Sequence, residues 1–197
     1  MADRLKPSLR ERAERYAATF PKWPSPRVDG SRWLDAVWIL GNNYRGTGYY
    51  GAYPPGYLKR IAALFPEARP ESTLHLFSGS MPKDSALPGL RVDADPSTNP
   101  DKVADAEDLP LKARSMHLVV ADPPYSHEDA KRYGRPMPVK ARVIDECRRV
   151  LRPGGNLVWL DTSVPMHRKA EWLWWGCIAI VRSTNHRVRV VTIMEKR

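Results

Sequence analysis

Apolar runs of four to eight residues, bounded by glycine, proline or polar residues, recur along the chain. Runs of this length are typical of buried strands. Six of them predict strands at 73–77, 90–93, 115–121, 156–160, 177–181 and 187–194. Apolar residues at helical spacing predict helices at 56–65 and 138–151, and a short helix at 166–175 whose tryptophans we expect in the core. The stretch 33–40 fits either a short helix or a strand.

The N-terminal segment has a helical pattern of its own. Between Ser8 and Phe20 the apolar residues follow a helical period, and Ser8 with Glu11 three residues later has the pattern of a capping box. Three prolines at positions 21, 24 and 26 then predict a stiff connector. We expect residues 1–40 to form this helix and connector, packed on a main domain that spans 41–197.

Composition limits the class of protein. A chain of 197 residues can bury one full hydrophobic core, and a formal charge of +10 favours a polyanionic partner. Cys147 and Cys177 are isolated, with no histidine at a metal-ligand spacing, so we expect reduced thiols and no metal site. The charged N-terminus lacks the apolar core of a signal peptide, and no apolar run reaches 18 residues. We therefore expect a soluble, cytoplasmic protein without a membrane segment.

The strongest chemical signal is the tetrapeptide Asp122-Pro123-Pro124-Tyr125, which follows the apolar run 118–121. It offers a carboxylate, the carbonyls of two prolines whose backbone cannot donate, and an aromatic ring. Two acceptors and a stacking surface suit a planar amino group. A rigid exit from the strand is the alternative explanation. The tyrosine, together with a second motif upstream, favours the functional one.

The second motif is Phe77-Ser78-Gly79-Ser80, directly after the strand predicted at 73–77. Gly-rich turns at the carboxyl end of a parallel strand hold nucleotides in doubly wound sheets. Together the two motifs resemble those of S-adenosylmethionine-dependent amino-methyltransferases, the DNA methyltransferase family with a DPPY loop that acts on adenine N6 or cytosine N4. The resemblance covers roughly residues 43–195.

This resemblance implies a fold and a cofactor. The fold is α/β, a Rossmann-like class I methyltransferase with a seven-stranded, mostly parallel sheet, helices on both faces and a C-terminal antiparallel hairpin. The cofactor is S-adenosyl-L-methionine, whose methionine carboxylate the backbone N–H groups of residues 77–80 would receive. Two residues depart from the family pattern. His75 stands where an acidic residue is frequent, and Met81 replaces the last glycine of the loop.

The resemblance also suggests further cofactor residues. Asp93 ends the second strand and would accept the ribose hydroxyls, with Asp95 as the alternative and a plain turn before Pro96 as another. Asp105 would bind the adenine amino group, and Ala106 would supply a backbone N–H. The glycine-rich segment 41–55 contains tyrosines that could stack on adenosine or on a base, unless it is a surface Ω-loop. We select Tyr53 for the cofactor and Tyr49 for the substrate.

Basic and polar residues near the catalytic loop are candidates for the substrate. Arg132 lies in the polar stretch after Tyr125, where a nucleic-acid strand would pass. In the family sheet the sixth strand is parallel and the seventh antiparallel, so their hairpin tip lies at the edge that carries the catalytic loop. That places Asn185, His186 and Arg187 within reach of a base or phosphate. A plain turn explains this tip equally well.

The resemblance favours methyl transfer to adenine N6 in DNA, because Asp at the loop resembles the adenine group and Ser the cytosine group. RNA amino-methyltransferases acting on guanine N2 or adenine N6 are a second possibility, since guanine-N2 enzymes of similar length carry DPPF or DPPY loops. A non-catalytic nucleic-acid-binding subunit is a third, favoured only by His75 and Met81. No target-recognition domain is evident, so recognition would fall to the N-terminal 50 residues or to a protein partner, or would be loose.

Overall fold

A computed structural model describes residues 6–41, 53–183 and 188–197. Its helices are α1 (Leu9–Thr19), α2 (Tyr57–Leu64), α3 (His127–Arg132) and α4 (Lys140–Val150). Its strands are β1 (Arg27–Asp29), β2 (Trp33–Leu40), β3 (Thr73–Leu76), β4 (Leu90–Asp93), β5 (Lys102–Val103), β6 (Met116–Ala121), β7 (Leu151–Asp161), β8 (Trp172–Arg182) and β9 (Val188–Lys196). Single 3-10 turns occupy Pro70–Ser72 and Pro96–Thr98.

All strands of the described residues join one sheet, in the order β1-β2-β8-β9-β7-β6-β3-β4-β5. Strands β5, β4, β3, β6 and β7 run parallel, whereas β9 pairs antiparallel with both β7 and β8. The predicted parallel sheet with a C-terminal antiparallel hairpin is therefore confirmed. The predicted number of seven strands is wrong, because β1 and β2 extend the sheet to nine strands.

The ambiguous stretch 33–40 is strand β2, which pairs parallel with β8 from Leu34 to Leu40. Leu34, Trp38 and Leu40 on one face are buried, whereas Val37 and Ile39 on the other are exposed. This alternation has the period of a strand that is half covered. The sheet partner at β8 lies about 140 residues away, and that pairing decides the conformation.

The helix predicted at 166–175 is wrong, because Trp172 already begins strand β8. A register shift between Trp174 and Gly176 interrupts the pairing of β8 with β9. Trp172 packs in the core on one face of the sheet and Trp175 in the core on the other, as expected for strand residues three positions apart. Of the three tryptophans expected in the core, Trp172 and Trp175 are at most 3% exposed, whereas Trp174 is only partly buried against the same core as Trp172.

Helices cover both faces of the sheet, as predicted. On one face α1 and α2 bury Tyr16, Tyr57 and Ile61 against the strands. On the other face α4 buries Val143 and Cys147. Each face therefore has its own apolar core, and the sheet is the layer between them.

Helix α1 is fixed to α2 by two buried arginines. Arg12 donates to the Leu64 carbonyl and forms an ion pair with Glu67 at 2.5 Å. Arg60 donates to the Tyr16 hydroxyl, and its guanidinium lies 4.7 Å from the centre of the Phe20 ring. The predicted capping box at Ser8 and Glu11 is present. The division of the chain into segments 1–40 and 41–197 stays a prediction.

Two classes of feature are absent from the described part of the chain. Within it no group of three His, Cys, Asp or Glu side chains is arranged to hold a metal ion. None of the described helices combines the length and the apolar character that crossing a membrane requires. Cys147 is buried and Cys177 half-buried, and burial raises the pKa of both free thiols.

Gly89, immediately before β4, lies very close to the backbone of Thr73 at the start of β3. A Cβ at position 89 would lie 2.6 Å from the Thr73 carbonyl oxygen, a backbone atom that cannot move aside alone. We expect Gly89→Ala to lower the free energy of unfolding by about 1–3 kcal/mol, measured by urea denaturation. Gly41→Ala is the control, since its nearest contact is 3.9 Å away at Pro55. Equal urea midpoints for the two variants would contradict the structure.

Candidate active site

Four loops meet at one edge of the sheet because β3, β4, β5 and β6 are parallel neighbours. These loops follow the carboxyl ends of the strands, where open α/β sheets bind ligands. They line a cavity of about 310 Å³, within the range of small-ligand sites. Its lining residues are Phe77, Gly79, Asp93, Ala94, Asp95, Val103, Ala104, Asp105, Ala106, Glu107, Asp122, Pro124, Tyr133, Arg135, Pro136 and Pro138.

The loop after β3 turns through left-handed backbone at Phe77 (φ 57°) and Gly79 (φ 49°). Glycine adopts this region freely, but phenylalanine does so at a cost of about 1 kcal/mol or more. Two backbone hydrogen bonds hold the turn, from Ser78 N to the Val92 carbonyl (3.2 Å) and from Met81 N to the Ser78 carbonyl (3.1 Å). The strain at Phe77 marks this loop as a candidate binding element.

Asp93 ties the loop after β3 to the end of β4. One carboxylate oxygen accepts from Gly79 N at 2.8 Å, and the other accepts from Asp95 N at 2.9 Å. Each oxygen keeps a second lone pair for a ligand. Asp95, the alternative for the same role, caps the following 3-10 turn by accepting from Ser97 N at 2.9 Å. Both aspartates line the cavity.

The loop after β5 supplies the far wall of the cavity. Asp105 is exposed and accepts from Glu107 N at 2.9 Å, which fixes a short turn around the buried Ala106. Glu107 in turn accepts from Val139 N at 2.7 Å, immediately before α4 begins. The turn therefore holds both predicted residues, Asp105 and Ala106, at the cavity wall.

Several of the buried polar atoms without protein partners lie in or near the loop after β3. They include Ser78 Oγ, Ser80 Oγ, Tyr53 Oη and Tyr57 Oη, although none of these four residues is among those that line the cavity. A buried polar group that stays unpaired costs roughly 1–3 kcal/mol, so such groups indicate a polar ligand. Hydroxyls at this loop, with the carboxylates of Asp93 and Asp105 beside the cavity, fit a ligand that carries an amino acid and a nucleoside.

The two departures from the family pattern lie in the core and not in the cavity wall. His75 is fully buried and its Nε2 lies 2.9 Å from the Leu87 carbonyl, to which it donates. Burial lowers the His75 pKa to about 4, so the ring is neutral at neutral pH. Met81 packs in the core beneath α1 and α2, and its carbonyl accepts from Arg91.

Two of the four catalytic-loop candidates, Asp122 and Pro124, line the cavity. Pro123 is buried, and neither Pro123 nor Tyr125 is among the lining residues. The Tyr125 hydroxyl donates to Asp122 Oδ1 at 2.5 Å. Burial raises the Asp122 pKa to about 6, while the charge of Arg189 and the hydrogen bond from Tyr125 act in the opposite direction. The carboxyl is therefore mostly ionised at neutral pH, which lies only about one pH unit above this pKa.

The remaining predicted residues either do not line the cavity or lie outside the residues that the structure describes. Tyr53 is buried, stacks on Tyr57 at 5.3 Å between ring centres, and is not among the lining residues. Arg132 is exposed in the last turn of α3 and does not line the cavity. Tyr49, Asn185, His186 and Arg187 lie outside the described residues.

Sequence reasoning missed three residues at or near the site. Tyr133 lines the cavity together with Arg135, a residue of the same polar stretch as Arg132, and Arg135 donates to the Ala94 carbonyl at 2.6 Å. The other two are Tyr57 and Arg189, which lie close enough to Asp122 to interact with it electrostatically. Arg189 could have been noticed, because an arginine at an inward position of an apolar strand is unusual.

The fold has known counterparts among solved structures. TrmN from Thermus thermophilus is 16% identical and matches 75% of this chain and 50% of its own, with a TM-score of 0.53. A SAM-dependent methyltransferase from Aquifex aeolicus is 11% identical over 72% of this chain and 93% of its own, with a TM-score of 0.49. This chain therefore spans about half the length of TrmN. The sequence matches no protein-family model and has no significant match among curated proteins.

At these identities the likeness shows the fold alone. The chain has a Rossmann-like fold of the methyltransferase type, and S-adenosyl-L-methionine stays the cofactor that the sequence resemblance implies. The cavity and the unpaired hydroxyls around the loop after β3 fit that molecule. Membership in the DPPY amino-methyltransferase family stays a prediction.

The raised pKa of Asp122 predicts a pH-dependent gain in stability for Asp122→Asn. Between about pH 4 and 6 folded Asp122 keeps a proton that the unfolded chain has lost, so its ionisation destabilises the fold as pH rises. Asparagine cannot ionise. At pH 8 we expect the free energy of unfolding of Asp122→Asn, measured by urea denaturation, to exceed that of the wild type by about 1–3 kcal/mol. This difference should vanish near pH 4.

Asp95→Asn is the matched control within the same cavity. Hydrogen bonds from Ser97 lower the Asp95 pKa, so its carboxylate stabilises the fold above its ordinary pKa and loses this effect in acid. The two substitutions should therefore have opposite signs at pH 8. A difference between Asp122→Asn and wild type that is constant from pH 4 to 8 would rule out the buried, ionised carboxylate.

Proposed function

We propose that this chain transfers a methyl group from S-adenosyl-L-methionine to an exocyclic amino group of a nucleic-acid base, with adenine N6 in DNA favoured. The observation that carries the proposal is the single cavity shared by the loop after β3 and by Asp122 and Pro124. A cofactor seated against Phe77, Gly79 and Asp93 would lie beside the carboxylate and the proline carbonyls. The formal charge of +10 supports a polyanionic substrate.

The residues for the cofactor come from three loops. The N–H groups of residues 77–80 would receive its carboxylate, and Asp93 would accept its ribose hydroxyls. Asp105 and Ala106 would bind its adenine. When bound, the cofactor supplies an activated methyl group on a sulfonium. The protein therefore has to orient the amino nucleophile and not to activate the donor.

Asp122 and the proline carbonyls would orient that nucleophile. Aromatic amines share their lone pair with the ring, and two hydrogen-bond acceptors on the N–H groups favour a pyramidal nitrogen whose lone pair is available. One oxygen of Asp122 already accepts from Tyr125, which leaves lone pairs on the carboxylate for an amino group. Alignment of the two reactants can contribute several kcal/mol, and fixed acceptors in a dry site add to it.

Asp122 does not need to be a strong base. The ammonium that results from methylation is acidic and loses its proton readily to water or to a carboxylate. A pKa of about 6 keeps Asp122 in its acceptor form at neutral pH, which is the form that the orientation requires. The ring of Tyr125 would stack on the base, and a duplex substrate would have to present that base flipped out of the helix.

Two substitutions separate the cofactor role from the catalytic role. Asp122→Ala should abolish methyl transfer while cofactor affinity, measured by calorimetry, stays within a few-fold of wild type. Asp93→Ala should instead weaken cofactor binding by about tenfold or more, because it removes hydrogen bonds worth about 1.5 kcal/mol. Asp145→Ala, on the exposed side of α4, is the control and should change neither. Normal turnover by Asp122→Ala would refute its assignment.

The substrate class is tested with labelled cofactor and separate pools of DNA, RNA and protein. We expect label in DNA, recovered as N6-methyladenine after digestion. Label in RNA, as a methylated guanine or adenine, would replace the DNA assignment by the RNA one. Absence of cofactor binding in calorimetry would instead identify a non-catalytic nucleic-acid-binding subunit. An added protein partner that restores transfer would locate target recognition outside this chain.

A further inference from the structure

Arg189 is a buried cation that no mechanism described above uses. Its side chain lies on β9 on the same face as Val191 and Ile193, and the residue is 8% exposed. Within the described residues it forms no ion pair with a carboxylate closer than 4 Å, and its Nε has no hydrogen-bond partner. A buried charge without a direct counter-ion is costly, so its position needs a physical reason.

The contact that Arg189 makes is with the catalytic loop. Its guanidinium carbon lies 4.9 Å from the centre of the Tyr125 ring, within the range of a cation–π interaction. The hydroxyl of the same ring donates to Asp122 Oδ1 at 2.5 Å. Arg189, Tyr125 and Asp122 therefore form a continuous series from β9 to the cavity wall.

Arg189 differs in charge from the other titratable groups that surround Asp122. Asp161 at the end of β7 and Asp129 in α3 are negative and raise the pKa of Asp122, in addition to burial. Asp161 is itself paired with Lys140 at 2.7 Å. The neutral hydroxyls of Tyr53, Tyr57 and Tyr125 complete the surroundings. Of the groups that the structure describes here, Arg189 is the cation that lowers the Asp122 pKa.

We propose that Arg189 is a positioning residue of the active site, which fixes the Tyr125 ring from one side and balances the charge of the Asp122 carboxylate through space. Its effect on catalysis rests on the proposed function of Asp122, whereas its electrostatic effect does not. Because Arg189 occupies one face of Tyr125, a target base would stack on the opposite face.

The test is a titration of Asp122 that needs no substrate. Protein labelled with ¹³C at the aspartate carboxyls is titrated by NMR, and the Asp122 signal is assigned by its loss in Asp122→Asn. The wild type and Arg189→Lys, which keeps the charge, should titrate near pH 6. Arg189→Met removes the charge and should raise the midpoint by about one pH unit or more. Arg148→Met, whose arginine pairs with Glu171, should leave the midpoint unchanged.

An unchanged midpoint in Arg189→Met would overturn the proposal, whether or not the protein methylates a base. If the proposed function holds, the acidic limb of kcat/KM should move to higher pH in Arg189→Met by the same interval, with activity recovered in alkali. Arg189→Lys should keep the wild-type profile. A merely structural arginine would lower activity equally at every pH, and that result would also overturn the proposal.

A second measurement covers the case in which Arg189→Met fails to fold. In the wild-type protein the Arg189 guanidinium lies over the Tyr125 ring, and its Nε–Hε resonance is assigned by its loss in Arg189→Lys. The chemical shift of this resonance should change as Asp122 titrates near pH 6, and the change should be absent in Asp122→Asn. An Arg189 resonance that is insensitive to pH between 4 and 8 would overturn the proposal. This measurement is made on the protein with its native Arg189.

Discussion

The parallel register of β3 with its two neighbours is the constraint on which the whole site depends. Leu76 pairs with Val92 on β4 and with Ala121 on β6. The residues that follow these three positions are Phe77, Asp93 and Asp122, so one register brings all three loops to the same edge of the sheet. A slip of one residue would turn a strand over and exchange the side chains that face the two cores, where they would no longer fit their neighbours. The cores on both faces therefore hold the cavity in place.

The site concentrates features that destabilise the fold. Phe77 has left-handed backbone, several hydroxyls are buried without partners, and Asp122 is a carboxylate in a largely dry environment. Each feature opposes stability by roughly 1 kcal/mol or more. They lie together at the carboxyl ends of the parallel strands, whereas both faces of the sheet are packed with apolar side chains. Such concentration is expected where binding requires polar groups that the free protein cannot pair.

The departures from the family pattern are compatible with the same cavity. His75 and Met81 are both buried, His75 with its ring donating to the Leu87 carbonyl and Met81 as part of the apolar core that also contains Leu87. The cavity wall is formed instead by Phe77, Gly79 and Asp93, which keep the pattern. The substitutions that supported a non-catalytic subunit therefore change the packing beneath the loop and not the residues that face the ligand.

Local sequence determined much of this architecture, and long-range pairing decided the rest. Strands β3, β4 and β6 and the loops after them were predictable, because short apolar runs that end at Gly, Asp or Pro have few alternatives. The stretch 33–40 and the start of β8 at 172–176 were not, because they become strands by pairing within the sheet, 33–40 with β8 and 172–176 with β9. In the same way Asp122 could be chosen from its motif, whereas Arg189 could be noticed only as an unusual residue in an apolar strand. The antiparallel position of β9 beside β7 brings its side chain to Tyr125, a residue 64 positions earlier in the chain. The sequence specifies the groups, but their mutual charges and contacts exist only once the sheet has formed.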